Sequence, residues 1–387
     1  MKKIIATLVI LGSCLTIPAQ QVGTTTITFN DPGRTGGFGS GGGAGRQIQT
    51  EIYYPAATAG TDVAVAIGEY PIVVFGHGFV MSWDAYENIW TDLVANGYIV
   101  AFPRTEGGFS PSHEDFGMDL ALVVDELLLL NTDAGSLFSN KLSGKAGICG
   151  HSMGGGATFI AANETTNIQT IIGLAPAETN PSAETAAGSV QLPALVLSGS
   201  ADGVTPEADH HLPIFNALGS TCKYYVSITG GAHCYFANSN FNCDTGELLT
   251  SGGISISRTE QQETTSDYMI PWLNIYLKDA CDDQLIIDDL EANDNRTIVN
   301  AQCVFDCEEP TTGLNTLSAE QVAIYPNPVS NSLIVEGISA TSEIILTNSL
   351  GVQVLKAFGD SPINVSELPS GVYLLHVEGS AYKIIKR

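Results

Sequence analysis

The stretch Gly147-Ile148-Cys149-Gly150-His151-Ser152-Met153-Gly154-Gly155-Gly156-Ala157 changes character at its centre. Before the serine, Gly147, Ile148 and Cys149 close an apolar run of the kind that forms a buried strand. After it, Gly155, Gly156 and Ala157 lead through Phe159, Ile160, Ala161 and Ala162 into a tightly packed helix. Strand, G-x-S-x-G and helix together form a nucleophile elbow, in which flanking glycines let the backbone turn sharply and hold a strained serine at the top of a sheet. Ser152 is therefore the candidate nucleophile. The pattern demands an acid after a later strand, a histidine after the next one, and a loop of backbone donors after an earlier one.

All three are present in that order. Leu195-Val196-Leu197 runs through Ser198-Gly199-Ser200-Ala201 to Asp202, and Tyr224 to Ile228 is followed by Gly230-Gly231-Ala232-His233. Asp202 would orient His233, which would take the Ser152 proton and deliver it to a leaving group. An oxyanion needs two preorganised donors. The N–H of Met153, the residue after the nucleophile, is one; the N–H of Phe79, in Gly76-His77-Gly78-Phe79 beyond the apolar run Pro71 to Phe75, is the other. His77 itself is expected to pack under that loop. Asp209-His210-His211 could ligate a metal, but at an expected helix start it reads more simply as a solvated cap. No metal and no cofactor is expected.

Working outward, Thr24 to Phe29, Gln47 to Tyr54, Tyr98 to Phe102 and Ile168 to Leu174 read as further strands. Helices are expected over Ala85 to Asn96, Phe116 to Leu130, Leu212 to Leu218 and Tyr268 to Lys278. In the second of these, Asp119, Asp125 and Glu126 are expected on the outer side. Gly33 to Gly45 is rich enough in glycine to be a loop. Strands alternating with helices imply an α/β fold with a doubly wound, mostly parallel sheet, active at the carboxyl ends of its strands.

The 387 residues suggest a large core plus something smaller. Residues 1–20 read as a signal peptide: Lys2 and Lys3, an apolar stretch from Ile4, then Pro18-Ala19-Gln20. That apolar stretch is too short to span a bilayer and no later stretch is long and apolar enough to do so, so a secreted or surface-attached protein is expected. The net charge of −26, from 41 acidic and 15 basic residues, would repel phosphate backbones and so argues against nucleic-acid binding. Cys14 leaves with the signal peptide and Cys149 sits in a buried strand. Cys222, Cys234, Cys243, Cys281, Cys303 and Cys307 then read as disulfides, with the pairing open. Cys234 with Cys243 would close a short loop beside His233, and Cys281 with Cys303 or Cys307 would pin the tail of the core. From about Asp282 to Gly313 the chain turns acidic and polar and reads as a linker, followed by short alternating strands of a small all-β domain.

Between about Thr24 and Cys281 the chain resembles the α/β-hydrolase branch containing bacterial cutinases and polyethylene terephthalate hydrolases. The likeness rests on Gly150 to Gly156, Gly230-Gly231-Ala232-His233 and Asp202-Gly203-Val204-Thr205-Pro206. It implies a serine esterase acting on polyester, cutin-like or small esters, with Phe79 placing an aromatic ring beside the scissile bond. The other readings are a general carboxylesterase or lipase, and a non-catalytic binding protein on a hydrolase fold. Relatives active on aromatic polyesters carry a tryptophan in the loop that here runs from Pro176 to Pro193 without an aromatic residue. Either another aromatic residue, such as Phe109, Tyr235 or Phe236, faces the cleft, or binding of aromatic polyester is weak. Tyr325-Pro326-Asn327-Pro328, Gly371-Val372-Tyr373-Leu374 and the basic end resemble the type A sorting domain of type IX secretion in Bacteroidetes, implying that machinery as a partner. The expected organisation is a signal peptide (1–20), a catalytic domain (21–307), a linker (308–321) and a sorting domain (322–387), in a monomer.

Overall fold

The computed structural model describes residues 21–303, Phe305, and, in the C-terminal part, 322–348, 353–359, 362–366, 368, 371–377 and 380–386. The expected signal peptide and the 308–321 linker lie outside these residues, as does Cys307. The chain divides into two compact units, Met1–Glu309 and Pro310–Arg387.

In the first unit the strands are β1 (Gln21–Asp31), β2 (Gly37–Phe38), β3 (Arg46–Ala56), β4 (Gly60–Thr61), β5 (Tyr70–Gly76), β6 (Ile99–Pro103), β7 (Leu142–His151), β8 (Thr170–Leu174), β9 (Ala194–Gly199), β10 (Lys223–Ile228) and β11 (Thr297–Gln302). They form one sheet in the order β11-β10-β9-β8-β7-β5-β6-β3-β1-β4, with β2 beside β3. From β6 to β10 every pairing is parallel, while β3 on β6, β1 on β3 and β11 on β10 are antiparallel. The helices are α1 (Glu87–Ala95), α2 (His113–Leu129), α3 (Met153–Ala161), α4 (Ala183–Ala187), α5 (His211–Ala217), α6 (Phe241–Thr250), α7 (Arg258–Lys278) and α8 (Gln284–Asn293).

Successive residues of a strand point to opposite faces, and both faces of this sheet are covered, which is why its central strands are apolar throughout. Ile72, Val74, Ile148, Ile171 and Val196 pack under α2 to α5. Val73, Phe75, Cys149, Ile172, Leu195 and Leu197 pack on the other side with α1, α7 and α8. The elbow glycines have a steric reason. A Cβ on Gly154 would lie 2.1 Å from Gly76 O, and one on Gly150 would lie 2.3 Å from Gly154 O, so α3 reaches the strand ends only without side chains there.

Four expectations change. Asp119 is fully buried and paired with Arg34 and Arg46, which reach it across α2 at 2.7 Å each; helical periodicity assigned it to the wrong side because its cations come from distant loops and strands. The stretch after Asp282 is not linker as far as residue 302: it forms α8 and the edge strand β11. Cys303, carried in by β11, bonds Cys222, the residue just before β10, so the Cys281–Cys303 alternative is excluded, while Cys281–Cys307 lies outside the described residues. The helix expected at Tyr268 begins at Arg258, its polar first half burying Gln261, Thr264 and Thr265. Cys234–Cys243 is bonded as expected.

The paired strands described in the second unit are antiparallel, with one isolated parallel bridge between Val329 and Lys386. One sheet is formed by β12 (Ala323–Tyr325), β13 (Ser332–Glu336) and β16 (Ile363–Asn364); the other by β14 (Glu343–Asn348), β15 (Gln353–Phe358), β17 (Gly371–Val377) and β18 (Ser380–Lys386). Leu333, Val335, Ile344, Leu346, Leu375 and Val377 alternate inward to form its core.

Candidate active site

The parallel strands end side by side, and their carboxyl ends carry the loops picked out in the sequence. Ser152 follows β7 directly, with φ 56° and ψ −118°. A non-glycine residue there is strained, and the strain is held by hydrogen bonds on both sides: Ser152 N–H donates to Leu174 O at 2.9 Å, and Gly156 and Ala177 N–H donate to Ser152 O. Met153 opens α3, so its N–H has no acceptor within the helix.

Asp202 and His233 are buried in the loops after β9 and β10. His233 Nδ1 lies 2.7 Å from Asp202 Oδ2. The other carboxylate oxygen accepts from the N–H groups of Val204 and Thr205 at 2.8 Å each. Burial alone would raise the Asp202 carboxyl, but the charge and hydrogen bond of His233 outweigh it and hold the carboxyl below its ordinary range. Ser152 and His233 both line a cleft of about 400 Å³, walled by Phe79, Met81, Phe109, Val204 and Phe241.

Groups that no motif announced complete the site. Glu247 on α6 is buried and accepts from His233 N–H at 3.0 Å and Cys234 N–H at 2.6 Å, gripping the histidine loop by its backbone. The Cys234–Cys243 disulfide ties the same loop to the same helix. His151, the residue between Gly150 and Ser152, is fully buried, and burial drives it far below the ordinary histidine range, so it is neutral. As a neutral ring it joins two loops: Nε2–H donates to His233 O at 3.0 Å, and Nδ1 accepts from Tyr86 Oη at 2.9 Å. Tyr86 Oη in turn accepts from Gly78 N–H at 2.7 Å, next to Phe79.

Of the remaining sequence candidates, His77 is buried, with Nδ1 and Nε2 each 2.9 Å from a backbone carbonyl, of Gly78 and Thr105, and its ring against Phe116. His211 is not a solvated cap: it is fully buried at the start of α5, whose preceding turn brings it under the acid loop. His210 Nδ1 accepts from Glu178 N–H. Among the described residues no cluster of metal-ligating side chains occurs. Of the three aromatic residues considered for the cleft, only Phe109 lines it. Phe236 is in the core, and Tyr235 lies under the Arg258 guanidinium. Phe241, opening α6, was not foreseen because its helix was not. Phe79, Phe109 and Phe241 are 48%, 85% and 83% exposed, leaving three aromatic faces open to a ligand.

A mostly parallel sheet covered on both faces, with a strained serine between strand and helix, defines the α/β-hydrolase class. The PET hydrolase-like family model matches residues 20–283, and the chain belongs to that family. The model of the secretion system C-terminal sorting domain matches residues 323–387, the all-β unit. A bis(hydroxyethyl) terephthalate hydrolase of Streptomyces coelicolor is 26% identical over 244 residues, covering 63% of this chain and 64% of the relative. Cutinase est1 of Thermobifida alba is 24% identical over 213 residues, 54% of this chain and 64% of the relative. Cutinase 1 of Thermobifida cellulosilytica is 30% identical over 106 residues, 27% of this chain and 39% of the relative. The chain thus spans less than two thirds of the length of these relatives. Among the described residues no helix is long and apolar enough to cross a membrane.

Proposed function

We propose that the protein is a serine esterase that cleaves polyester and small ester bonds, terephthalate esters among them, through an acyl-enzyme. Ser152 Oγ attacks the ester carbonyl as His233 Nε2 takes its proton; Asp202 holds the ring by Nδ1 and stabilises the imidazolium. The N–H groups of Met153 and Phe79 receive the oxyanion. The alcohol leaves with the proton from His233, and a water activated by the same ring releases the acid and restores Ser152.

The observation that carries this reading is the strained Ser152 sharing one cleft with a histidine bonded to a buried carboxylate. The cutinase and terephthalate-ester hydrolase names of the relatives support the substrate class, and the three exposed aromatic rings suit an aryl ester. We further propose that the C-terminal unit directs export through the type IX machinery.

The test is hydrolysis of a p-nitrophenyl ester and release of soluble monomers from polyester film by the purified protein and Ser152→Ala. Loss of about 10⁴ to 10⁶ in kcat on both substrates is expected. Full activity in the variant would refute the mechanism, and small-ester turnover with no monomer release would restrict the enzyme to general carboxylesterase chemistry.

A further inference from the structure

A second buried histidine stands behind the acid. His211 Nδ1 is 2.6 Å from Ser198 Oγ on β9, and its Nε2 is 3.0 Å from Thr205 Oγ1. That hydroxyl is 3.1 Å from Asp202 Oδ2 and 2.9 Å from His233 Nδ1. His211 Nε2 is 3.8 Å from the same carboxylate oxygen, too far for a direct hydrogen bond, so its influence passes through Thr205.

Donor and acceptor bookkeeping fixes the direction of this chain. Burial pushes His211 down to about 3, so the ring is neutral and carries one proton. Thr205 has a single hydroxyl proton, and the ionised carboxylate is a stronger acceptor than a neutral imidazole nitrogen. Thr205 O–H therefore donates to Asp202 Oδ2. His211 Nε2–H then donates to Thr205 Oγ1, and His211 Nδ1 accepts from Ser198 O–H. Every polar atom of the chain is satisfied in this arrangement. Reversing it would leave Asp202 Oδ2 with His233 as its sole donor.

We infer that His211 is a positioning residue, which fixes the Thr205 hydroxyl as a second donor to Asp202 and so sets how strongly the carboxylate holds and charges His233. The inference rests on the Ser152, Asp202 and His233 reading. Charge shared with Thr205 is not available to the imidazolium. Removing that donor should therefore raise the proton affinity of His233 while loosening the geometry of the acid. The other groups facing His233 are His151, neutral and bonded to its carbonyl, and Glu247, bonded to its N–H. Neither changes in the variants below.

The test is the pH profile of kcat/KM on a soluble p-nitrophenyl ester for the full-length protein and the variants Thr205→Val, His211→Phe, His211→Gln and Thr205→Val/His211→Phe, with Asp202→Asn alongside. Thr205→Val and His211→Phe should each lower kcat roughly tenfold with KM little changed. Each should move the acid limb up by about 0.5 to 1 pH unit. The double variant should match either single one, since both act through one hydroxyl. His211→Gln, which offers an amide N–H near the place of Nε2, should restore most of the rate and the parent profile. Thr205→Val is nearly isosteric and keeps the inference testable if His211→Phe does not fold. An unshifted acid limb in Thr205→Val, or additive losses in the double variant, would overturn it. Retained activity in Asp202→Asn would instead overturn the underlying reading of the site.

Discussion

At the scale of single residues, burial keeps His151 and His211 neutral, while His233 holds the Asp202 carboxyl down against its burial. Ser152, Asp202 and His233 were legible because each sits in a short pattern at a strand end. Thr205, His211 and Glu247 were not, since a threonine after a turn, a histidine at a helix start and a glutamate within a helix have no spacing that marks them. Asp119 was misplaced for the same reason: its partners Arg34 and Arg46 are 85 and 73 residues away. The buried histidines make stability depend on pH. His211 is held down to about 3 in the fold and has an ordinary pKa of about 6.5 when unfolded. Between those values the unfolded chain binds the proton and the folded chain does not, so stability falls as pH falls from about 6.5 towards 3. Each such histidine contributes a slope of up to about 1.4 kcal/mol per pH unit. In urea unfolding at pH 7, 5.5 and 4, His211→Gln should therefore lose less stability on acidification than the parent. Parallel losses would show that His211 titrates normally in the fold.

At the scale of elements, the strand and helix alternation was readable because central parallel strands are apolar runs and the elbow fixes where β7 ends and α3 begins. Elements at the edge were not. α8 and β11 lie in an acidic, polar stretch, and β11 alternates between exposed and half-buried positions, so nothing in its composition marks it as part of the large sheet. α6 is similar, with Glu247 its only buried residue. Yet α6 is what holds the histidine loop, by one carboxylate and one disulfide. Glu247→Gln should therefore affect catalysis from outside the cleft wall. The amide can accept one of the two N–H groups, but its own N–H₂ faces the other, leaving a buried donor unpaired at about 1–3 kcal/mol. A lower melting temperature is expected together with a roughly tenfold or larger fall in kcat on a p-nitrophenyl ester. A variant with a lowered melting temperature and unchanged kcat would show that α6 supports the fold but not the position of His233.

At the scale of the whole molecule, the first unit holds Ser152, Asp202, His233, the Phe79 loop and both disulfides seen among the described residues, and the second matches a sorting domain. Truncation after Glu309, which keeps Cys303 and Cys307, should leave ester hydrolysis within about twofold of the full chain and a melting temperature within a few degrees. Loss of activity would give the C-terminal unit a share in the chemistry. In a host with type IX secretion, the truncated chain should stay in the periplasm while the full chain crosses the outer membrane. The net charge of −26 argued against nucleic-acid binding but named no substrate, because rings that line the cleft, such as Phe241, come from a helix that no pattern in the sequence marked. The central claim, that Ser152 is a nucleophile activated by His233 and Asp202, is tested most directly by reaction with a fluorophosphonate followed by peptide mapping. One phosphonyl adduct per chain on Ser152, absent from Ser152→Ala and strongly slowed in His233→Ala, is expected. An unlabelled parent protein, or an adduct confined to another residue while ester hydrolysis continues in Ser152→Ala, would contradict it.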